Sequence, residues 1–309
     1  MIYIITGQTA TGKTRCALEL ARKVDGELIN CDSRQIYKEL NIITGKDLAL
    51  TTRTFTVWKN KHSFDIGYYE LLQGGRLWLY DIVNPHQPFS AFDYRILATE
   101  TINHLQMEGK TPIIIGGTYF YLKHLLYDIL DTPVPPNVQL REKLALESTA
   151  TLQQILSAEN PTMYNDLNNS EKHNRQRLIR KIEVVRAGDT TSSNTNTEYE
   201  LAPPFTPQTT TIEGYHFIDR RKQYTIIKQR VQMRLEEGAI AEVESLLKSG
   251  YTGTEPGLQT IGYQQIIKYL HKEISLEDMK TEWLTREMQY AKRQYTFAKR
   301  DPNITWIEV

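Results

Sequence analysis

A glycine-rich loop near the start of the chain constrains its fold more than any other feature. Residues 7–14 read GQTATGKT and match the pattern G-x-x-x-x-G-K-[ST] in full. A short apolar run precedes this loop, and a helical pattern at residues 15–24 follows it. In such a strand–loop–helix unit, glycines let backbone N–H groups turn inward around phosphate oxygens, and the helix N-terminus adds partial positive charge. The segment therefore predicts a site for a di- or triphosphate, without indicating which.

The side chains of this loop complete the predicted phosphate site. We expect Lys13 to reach the terminal phosphates and the Thr14 hydroxyl to ligate Mg²⁺, the cofactor that the motif implies. The expected phosphate contacts are Gly7, Thr9, Ala10, Thr11, Gly12, Lys13 and Thr14. A plain glycine turn is the alternative, and the strand–helix context disfavours it.

Three further apolar runs indicate the strands of a sheet. They are residues 27–31, ahead of Asp32 and Ser33, residues 77–80, ahead of Asp81, and residues 111–115, ahead of Gly116, Gly117 and Thr118. Continuous rather than alternating runs are typical of parallel strands buried on both faces. A helical stretch at residues 91–108 alternates with these strands. The pattern predicts an α/β fold, a P-loop NTPase-like parallel sheet flanked by helices.

The pattern changes near residue 130, where a proline-rich breaker cluster begins. Residues 139–186 read as helices, and residues 188–211 are rich in Thr, Ser, Asn and Pro, as loose loops are. Later helices are predicted at residues 221–248, 262–271, 275–283 and 286–299. We therefore expect a P-loop core with C-terminal helices at 1–128 and 205–309, and a helical insertion domain with a flexible loop at 129–204.

Asp32 lies where open α/β sheets place ligand chemistry, beyond the C-terminal end of a strand beside the phosphate loop. A carboxylate there can act as a general base or as a metal-linked acid. It can equally be a helix cap, because Asp-Ser is good capping chemistry. Asp81 competes for the Mg²⁺-linked role, and spacing alone does not decide between the two acids.

Charge and composition limit the function classes. Lys+Arg and Asp+Glu are both 37, so the chain is not a globally basic nucleic-acid-coating protein. Basic clusters nevertheless occur at residues 171–187, 218–234 and 286–300. They fit either a surface that follows RNA phosphates or ordinary solvated helix faces. The absence of a long apolar run, of a secretory leader and of a cysteine framework favours a cytoplasmic protein without membrane contact.

The motifs together resemble the tRNA dimethylallyltransferases, the IPP transferase family. The resemblance rests on GQTATGKT and on residues 32–37, 80–85, 89–94, 115–121, 175–184, 261–264 and 291–297, in the family's order. It covers most of the chain. The departures from the family pattern include Arg34, where a small or apolar residue is usual, Lys181 in place of Ala, and residues 48–76.

This resemblance implies transfer of a dimethylallyl group from dimethylallyl diphosphate to N6 of the adenosine 3′-adjacent to the anticodon. The phosphate loop then holds the departing diphosphate. By the same resemblance Asp32 is the general base, Thr118 lies near the diphosphate or the reacting base, and Arg141 contacts the diphosphate. The implied tRNA-binding residues are Asp32, Ser33, Arg34, Gln35, Gln176, Arg177, Arg180, Gly262, Tyr263, Lys292 and Arg293. The expected partner is the tRNA anticodon stem-loop, met by a monomer.

Other functions fit the same loop. A P-loop small-molecule kinase would hold ATP there and use Asp32 or Asp81 on substrate or Mg²⁺. A free adenylate isopentenyltransferase would use AMP or ATP as acceptor, and the basic helices disfavour it weakly. A non-catalytic RNA-binding module is a third possibility, against which the intact Lys13, Thr14 and Asp32 argue.

Overall fold

The computed structural model describes residues 1–46, 58–59, 64–71, 75–127, 134, 137–188 and 199–309. The chain divides into two compact units: Met1–Asp128 with Tyr199–Val309, and Ile129–Glu198. Much of the segment predicted to be a flexible loop, residues 189–198, lies outside the described residues. The same holds for most of residues 47–63, within the segment that departs from the family pattern.

The first unit is built on a parallel sheet. Its strands are β1 (Ile2–Gly7), β2 (Gly26–Asn30), β3 (Trp58–Lys59), β4 (Asp65–Ile66), β5 (Tyr68–Glu70), β6 (Arg76–Trp78), β7 (Thr111–Ile115), β8 (Thr210–His216) and β9 (Thr305–Glu308). Within the described ranges, one sheet has the order β5-β6-β2-β7-β1-β8-β9, and β3 pairs with β4 separately. Only the β5–β6 pair of that sheet is antiparallel. The α/β class with a P-loop-type parallel sheet is confirmed.

The helices of this unit cover the sheet. They are α1 (Lys13–Val24), α2 (Ala91–Met107), α3 (Tyr119–Leu126), α9 (Arg220–Glu236), α10 (Ala239–Lys248), α11 (Tyr263–Leu270) and α12 (Leu276–Ala298). Against one sheet face, α1 packs Ala17 onto Ile5, Leu28 and Ile113. The alternate strand residues point to the other face, as in Ile4 and Ile114, which are also buried. Burial of each such side chain contributes about 2 kcal/mol.

Three local expectations need correction. The run at 77–80 stops being a strand after Trp78, because Leu79 and Asp81 have positive φ values of 65° and 55°. The stretch at 221–248 is two helices, since Gly238 at φ 101° interrupts it. The stretches at 275–283 and 286–299 are one helix, α12, because no breaker residue separates them.

The second unit is a helical bundle. Its helices are α4 (Val138–Ala145), α5 (Thr149–Glu159), α6 (Pro161–Asp166), α7 (Asn169–Lys172) and α8 (Arg175–Arg186). Each begins after an Asn or Ser whose side chain accepts a backbone N–H of the first turn. A core that includes Leu152, Leu156, Leu178 and Ile182 holds the helices together. Neither unit has, in its described part, a helix long and apolar enough to cross a membrane.

Candidate active site

The phosphate loop joins the end of β1 to the start of α1. Gly7 and Gly12 have φ values of 121° and 83°, and Ala10 between them has φ 66°. These left-handed conformations turn successive amides toward the loop interior. Gly7 is required for packing as well, because a Cβ there would lie 2.1 Å from the carbonyl oxygen of Tyr215 on β8.

Lys13 lies over the loop that it follows. Its Nζ donates to the Gln8 carbonyl oxygen at 2.5 Å and to Thr11 Oγ1 at 3.5 Å. Burial, together with the nearby Arg230 guanidinium, lowers the pKa of Lys13 to about 7, while the Asp32 carboxylate opposes the shift. An anion bound in the loop would place negative charge beside Lys13 and so favour the protonated form of this lysine. The geometry therefore suits a ligand that carries several negative charges.

A cavity of about 1240 Å³ opens beside the loop. Predicted site residues that line it are Thr9, Ala10, Gly12, Lys13, Thr14, Asp32, Arg34, Gln35 and Arg293. Arg230, Arg234, Tyr290 and Gln294, which were not among the predicted site residues, line it too. Arg230 and Arg234 approach Gly45 closely, since a Cβ there would lie about 2.6 Å or less from a guanidinium nitrogen of each. Cationic groups from several segments of the first unit thus line the cavity.

Asp32 is held by the backbone at the end of β2. Its Oδ1 accepts the Arg34 amide at 2.9 Å, and its own amide donates to Asn30 Oδ1 at 3.0 Å. Asp32 Oδ2 accepts no hydrogen bond from the residues that the structure describes. The Asx-type turn thus uses one carboxylate oxygen and leaves the other for a ligand in the cavity.

Thr118 fastens the next strand end to the turn of Asp32. Its Oγ1 accepts the Ser33 amide at 3.0 Å and donates to the Ser33 hydroxyl at 3.3 Å. The glycines before it allow this contact between chain segments. A Cβ on Gly116 would lie 2.1 Å from the Cys31 carbonyl oxygen, and one on Gly117 would lie 2.1 Å from Gln294 Nε2. These glycines therefore allow other segments of this chain, rather than a ligand, to pack closely against them.

Asp81 is committed to an internal ion pair. Its Oδ1 lies 2.5 Å from Lys46 Nζ, and the Tyr69 hydroxyl donates to its other oxygen. Lys46 also donates to the Tyr37 carbonyl oxygen at 2.6 Å. Both charged side chains are buried, so Asp81 serves to hold the segment after Asp32. The structure thus favours Asp32 over Asp81 as the acid that meets a ligand.

The residues present fit a magnesium ion that is held mainly by its phosphate ligand. Thr14 lies in the first turn of α1 with its side chain exposed, and it shares the cavity with Asp32. Within the described ranges there is no group of three or more His, Cys, Asp or Glu side chains placed to hold a metal. Mg²⁺ commonly binds through one or two protein oxygens, waters and substrate phosphates, so this sparse donor set suits it.

Comparison with known proteins identifies the family. The model of the IPP transferase family matches residues 68–301, and that of the isopentenyl transferase family matches residues 1–64. The chain belongs to the IPP transferase family. A tRNA dimethylallyltransferase of Acetivibrio thermocellus is 33% identical over 99% of this chain and 91% of that protein. The tRNA dimethylallyltransferase 2 of Geotalea uraniireducens is 31% identical over 99% of this chain and 92% of its own length.

A solved IPP transferase structure is also similar to this chain. It is the full-length tRNA isopentenylpyrophosphate transferase of Bacillus halodurans, with a TM-score of 0.67 and 26% identity. The match covers 99% of this chain and 89% of that structure. The family resemblance and the fold class predicted from the sequence are both confirmed.

Two residues that the IPP transferase resemblance assigned to tRNA lie inside the protein. Tyr263 is 0% exposed, and its hydroxyl donates to Glu242 at 2.5 Å. Gly262 is buried beside it. The Glu242 carboxylate in turn accepts the amides of Asn41 and Ile42 at 2.9 and 2.7 Å. Tyr263 therefore supports the loop after Asp32, and its contact with tRNA stays a prediction that its burial disfavours.

The remaining predicted IPP transferase residues divide between the two units. Lys292 and Arg293 are exposed on α12 of the first unit. Arg141, Gln176, Arg177 and Arg180 belong to the second unit. There Arg141 forms two hydrogen bonds to the buried Glu183, at 2.9 and 2.7 Å, and Arg180 forms a third at 2.6 Å. Burial alone would raise the pKa of Glu183, but these bonds and the Asn137 amide lower it to about 2.

The sequence did not assign Arg230, Arg234, Tyr290 or Gln294 to the phosphate site. The two arginines lie four residues apart on α9, within a basic cluster that offered a weak signal. Burial, and the nearby Asp32 carboxylate, raise the pKa of Tyr290 above its usual range. Gln294 belongs to the A-K-R-Q stretch of the family resemblance, and nothing local indicated its partner on the phosphate loop.

Proposed function

We propose that this chain transfers the dimethylallyl group of dimethylallyl diphosphate to N6 of the adenosine 3′-adjacent to the anticodon of tRNA, releasing diphosphate. One observation carries the proposal. The phosphate loop with Lys13 and the half-free carboxylate of Asp32 line the same cavity. That cavity offers an anion site and a proton acceptor side by side, which alkylation of an amine by an allylic diphosphate requires.

The phosphate loop would stabilise the leaving group. Negative charge grows on the diphosphate as the allylic C–O bond breaks. The loop amides, Lys13 and Arg230 supply preorganised positive potential at that position. Lys13, which is close to half neutral near pH 7 without a ligand, takes up a proton when the diphosphate binds. A magnesium ion held by Thr14 and the phosphates would add charge neutralisation at the same place.

Asp32 would act on the nucleophile. An exocyclic adenine amine is weakly nucleophilic because its lone pair is delocalised into the ring. A hydrogen bond from N6–H to Asp32 Oδ2 orients the amine, and the carboxylate accepts the proton as the C–N bond forms. Thr118 fixes the backbone on either side of this carboxylate, because its amide donates to the Cys31 carbonyl oxygen and its hydroxyl accepts the Ser33 amide. The acceptor geometry is therefore set before the substrate arrives.

A tRNA acceptor requires the adenine to leave its stack and enter the cavity. That step costs a few kcal/mol, which contacts to the flanking RNA must offset. The proposed tRNA contacts are the exposed cations Lys292 and Arg293 on α12, together with the exposed Arg177 and the partly exposed Arg180 of the second unit. Gln176 is exposed as well, and Gln35 lines the cavity. We still expect the active protein to be a cytoplasmic monomer.

The test separates the acceptor classes. The full chain is incubated with Mg²⁺ and dimethylallyl diphosphate labelled in the allyl group, together with unmodified tRNA, with AMP, or with neither. A tRNA in which guanosine replaces the adenosine beside the anticodon is the matched control. We expect label only in unmodified tRNA with that adenosine. Label in AMP alone, or phosphoryl transfer from ATP in a parallel assay, contradicts the proposal.

A further inference from the structure

Two glutamines connect the last long helix, α12, to the phosphate loop. Gln8 Nε2 donates to the Ala291 carbonyl oxygen at 3.0 Å, and Gln8 Oε1 accepts the Phe217 amide at 2.8 Å. Gln294 Oε1 accepts the Thr9 amide at 2.8 Å. Helix α12 is thereby hydrogen-bonded both to a side chain of the loop, that of Gln8, and to a backbone amide of the loop, that of Thr9.

Gln294 also contacts a second segment of the proposed site, the turn after β7, through its amide nitrogen. Its Nε2 donates to the Gly117 carbonyl oxygen at 3.2 Å. The residue is 7% exposed, and its amide fills the space that a side chain at Gly117 would need. One carboxamide therefore joins the loop after β1 to the turn after β7, using its acceptor on one and its donor on the other.

These two segments carry opposite halves of the proposed reaction. Thr9 belongs to the loop that would hold the diphosphate of the donor. Gly117 precedes Thr118, whose hydroxyl holds the Ser33 amide next to Asp32. A change in separation between them would alter the distance from the allylic carbon to the acceptor nitrogen. Errors of this kind are costly, since misplacement by about 1 Å can reduce a rate about 100-fold.

We infer that Gln294 is a positioning residue that sets the spacing between the diphosphate loop and the turn carrying Thr118. It touches neither reacting atom, and it acts through Thr9 and Gly117. The inference rests on the proposed function for its kinetic consequence. Its structural content, a mechanical link between the two segments, can be measured without turnover.

The kinetic test compares two glutamines on one helix. Gln294→Met keeps the length of the side chain and removes both hydrogen bonds. Gln289→Met makes the same change at an exposed position of α12. We expect Gln294→Met to lower kcat about 10- to 100-fold while the Kd for inorganic diphosphate changes less than about threefold. Gln289→Met should leave both values unchanged. If Gln294→Met lost kcat and diphosphate affinity equally, Gln294 would only stabilise the phosphate loop. That result would overturn the inference.

A turnover-independent test uses amide hydrogen exchange. In the wild-type chain, inorganic diphosphate should slow exchange in residues 7–14 and also in residues 32–36 and 116–121. In Gln294→Met the slowing should stay confined to residues 7–14. If the protection spreads equally in both proteins, the link does not exist. A wild-type chain that fails to label tRNA but shows this exchange pattern would reject the proposed function and leave the link established.

A second variant covers the case in which Gln294→Met folds poorly. Gly117→Ala places a Cβ 2.1 Å from Gln294 Nε2 and 3.2 Å from the Gly7 carbonyl oxygen, so the nearest group that it displaces is the same amide, from the other side. We expect the same confined protection and the same fall in kcat at nearly constant diphosphate affinity. Normal kcat in Gly117→Ala contradicts the inference.

Discussion

The Thr118 hydroxyl accepts the backbone N–H of Ser33 at 3.0 Å, and this contact joins the C-terminal ends of two neighbouring parallel strands. Ser33 follows Asp32, so the contact fixes the backbone from which the proposed base projects. Parallel sheets gather strand ends at one edge, and a hydroxyl on one of them can lock the turn of the next. Two short motifs 85 residues apart thus form one structural element.

Thr118→Val should remove this lock while preserving the shape of the side chain. Valine cannot accept the Ser33 amide, so the Asp32 turn loses its anchor. We expect kcat to fall about 100-fold with little change in the Kd of diphosphate. Steady-state kinetics with tRNA and calorimetry with diphosphate check this. Thr118→Ser keeps the hydroxyl and is the control. Similar losses in the Ser and Val variants would show that the methyl group, rather than the hydrogen bond, matters.

Asp32→Asn should separate chemistry from binding. The amide oxygen can still accept the Arg34 N–H, so the turn is retained. The amide cannot accept the N6 proton, and we expect kcat to fall by about 10³ or more while diphosphate affinity stays within a few-fold. Rapid-quench single-turnover kinetics measures the chemical step directly. Turnover of Asp32→Asn at a near-normal rate would remove Asp32 from the role of base.

Binding of diphosphate should be linked to a proton on Lys13. Because the pKa of Lys13 is lowered to about 7 in the free site, the side chain is largely neutral at pH 8. A bound polyanion raises this pKa, so binding takes up a proton above pH 7 and not well below it. The affinity should therefore weaken up to about tenfold for each pH unit above 7.

Calorimetry in two buffers of different ionisation enthalpy measures this uptake. Lys13→Arg supplies the control, because an arginine remains charged across this range and leaves only the proton exchange of diphosphate itself. The wild-type chain should take up close to one proton more than the variant at pH 8. Equal uptake in both proteins would place the pKa of Lys13 well above the assay pH.

The features that depend on neighbouring residues could be predicted from the sequence, and the contacts between distant residues could not. The glycine loop, the strand before it and the acids after β2 and β6 follow from local patterns of fewer than ten residues. Gln294 reaches the loop across 285 residues, and no local pattern marks a glutamine whose two amide atoms have different distant partners. Arg230 was visible as part of a basic cluster, but only the packing of α9 against Gly45 brings it to the cavity.

Asp81 is a case in which a local pattern suggested a site residue and a distant contact ruled it out. Its place after an apolar run made it a plausible metal-linked acid. The partner that commits it, Lys46, precedes it by 35 residues in a loop with no regular pattern. A buried carboxylate requires a partner, and only the tertiary structure identifies which lysine it is.

Glu183 should contribute to stability in a pH-dependent way. Its pKa of about 2 in the folded protein lies below the ordinary value of 4.5, so its contribution is present above pH 4.5 and is lost as the pH falls toward 2. After allowance for the half-exposed Arg141 and Arg180, we expect Glu183→Gln to lower the free energy of unfolding by about 2 kcal/mol at pH 7. Urea unfolding at pH 7 and pH 3 measures it, and the gap between the two proteins should narrow at pH 3. A gap that is independent of pH would contradict the ion-pair explanation.

The most direct test is the structure of the full chain bound to unmodified tRNA and an unreactive thiolodiphosphate analogue of dimethylallyl diphosphate. We predict the diphosphate in the loop of residues 9–14, an extruded adenine in the cavity, and its N6 about 3 Å from an Asp32 carboxylate oxygen. An adenine that remains stacked in the anticodon loop, or a diphosphate bound away from Lys13, would contradict the account.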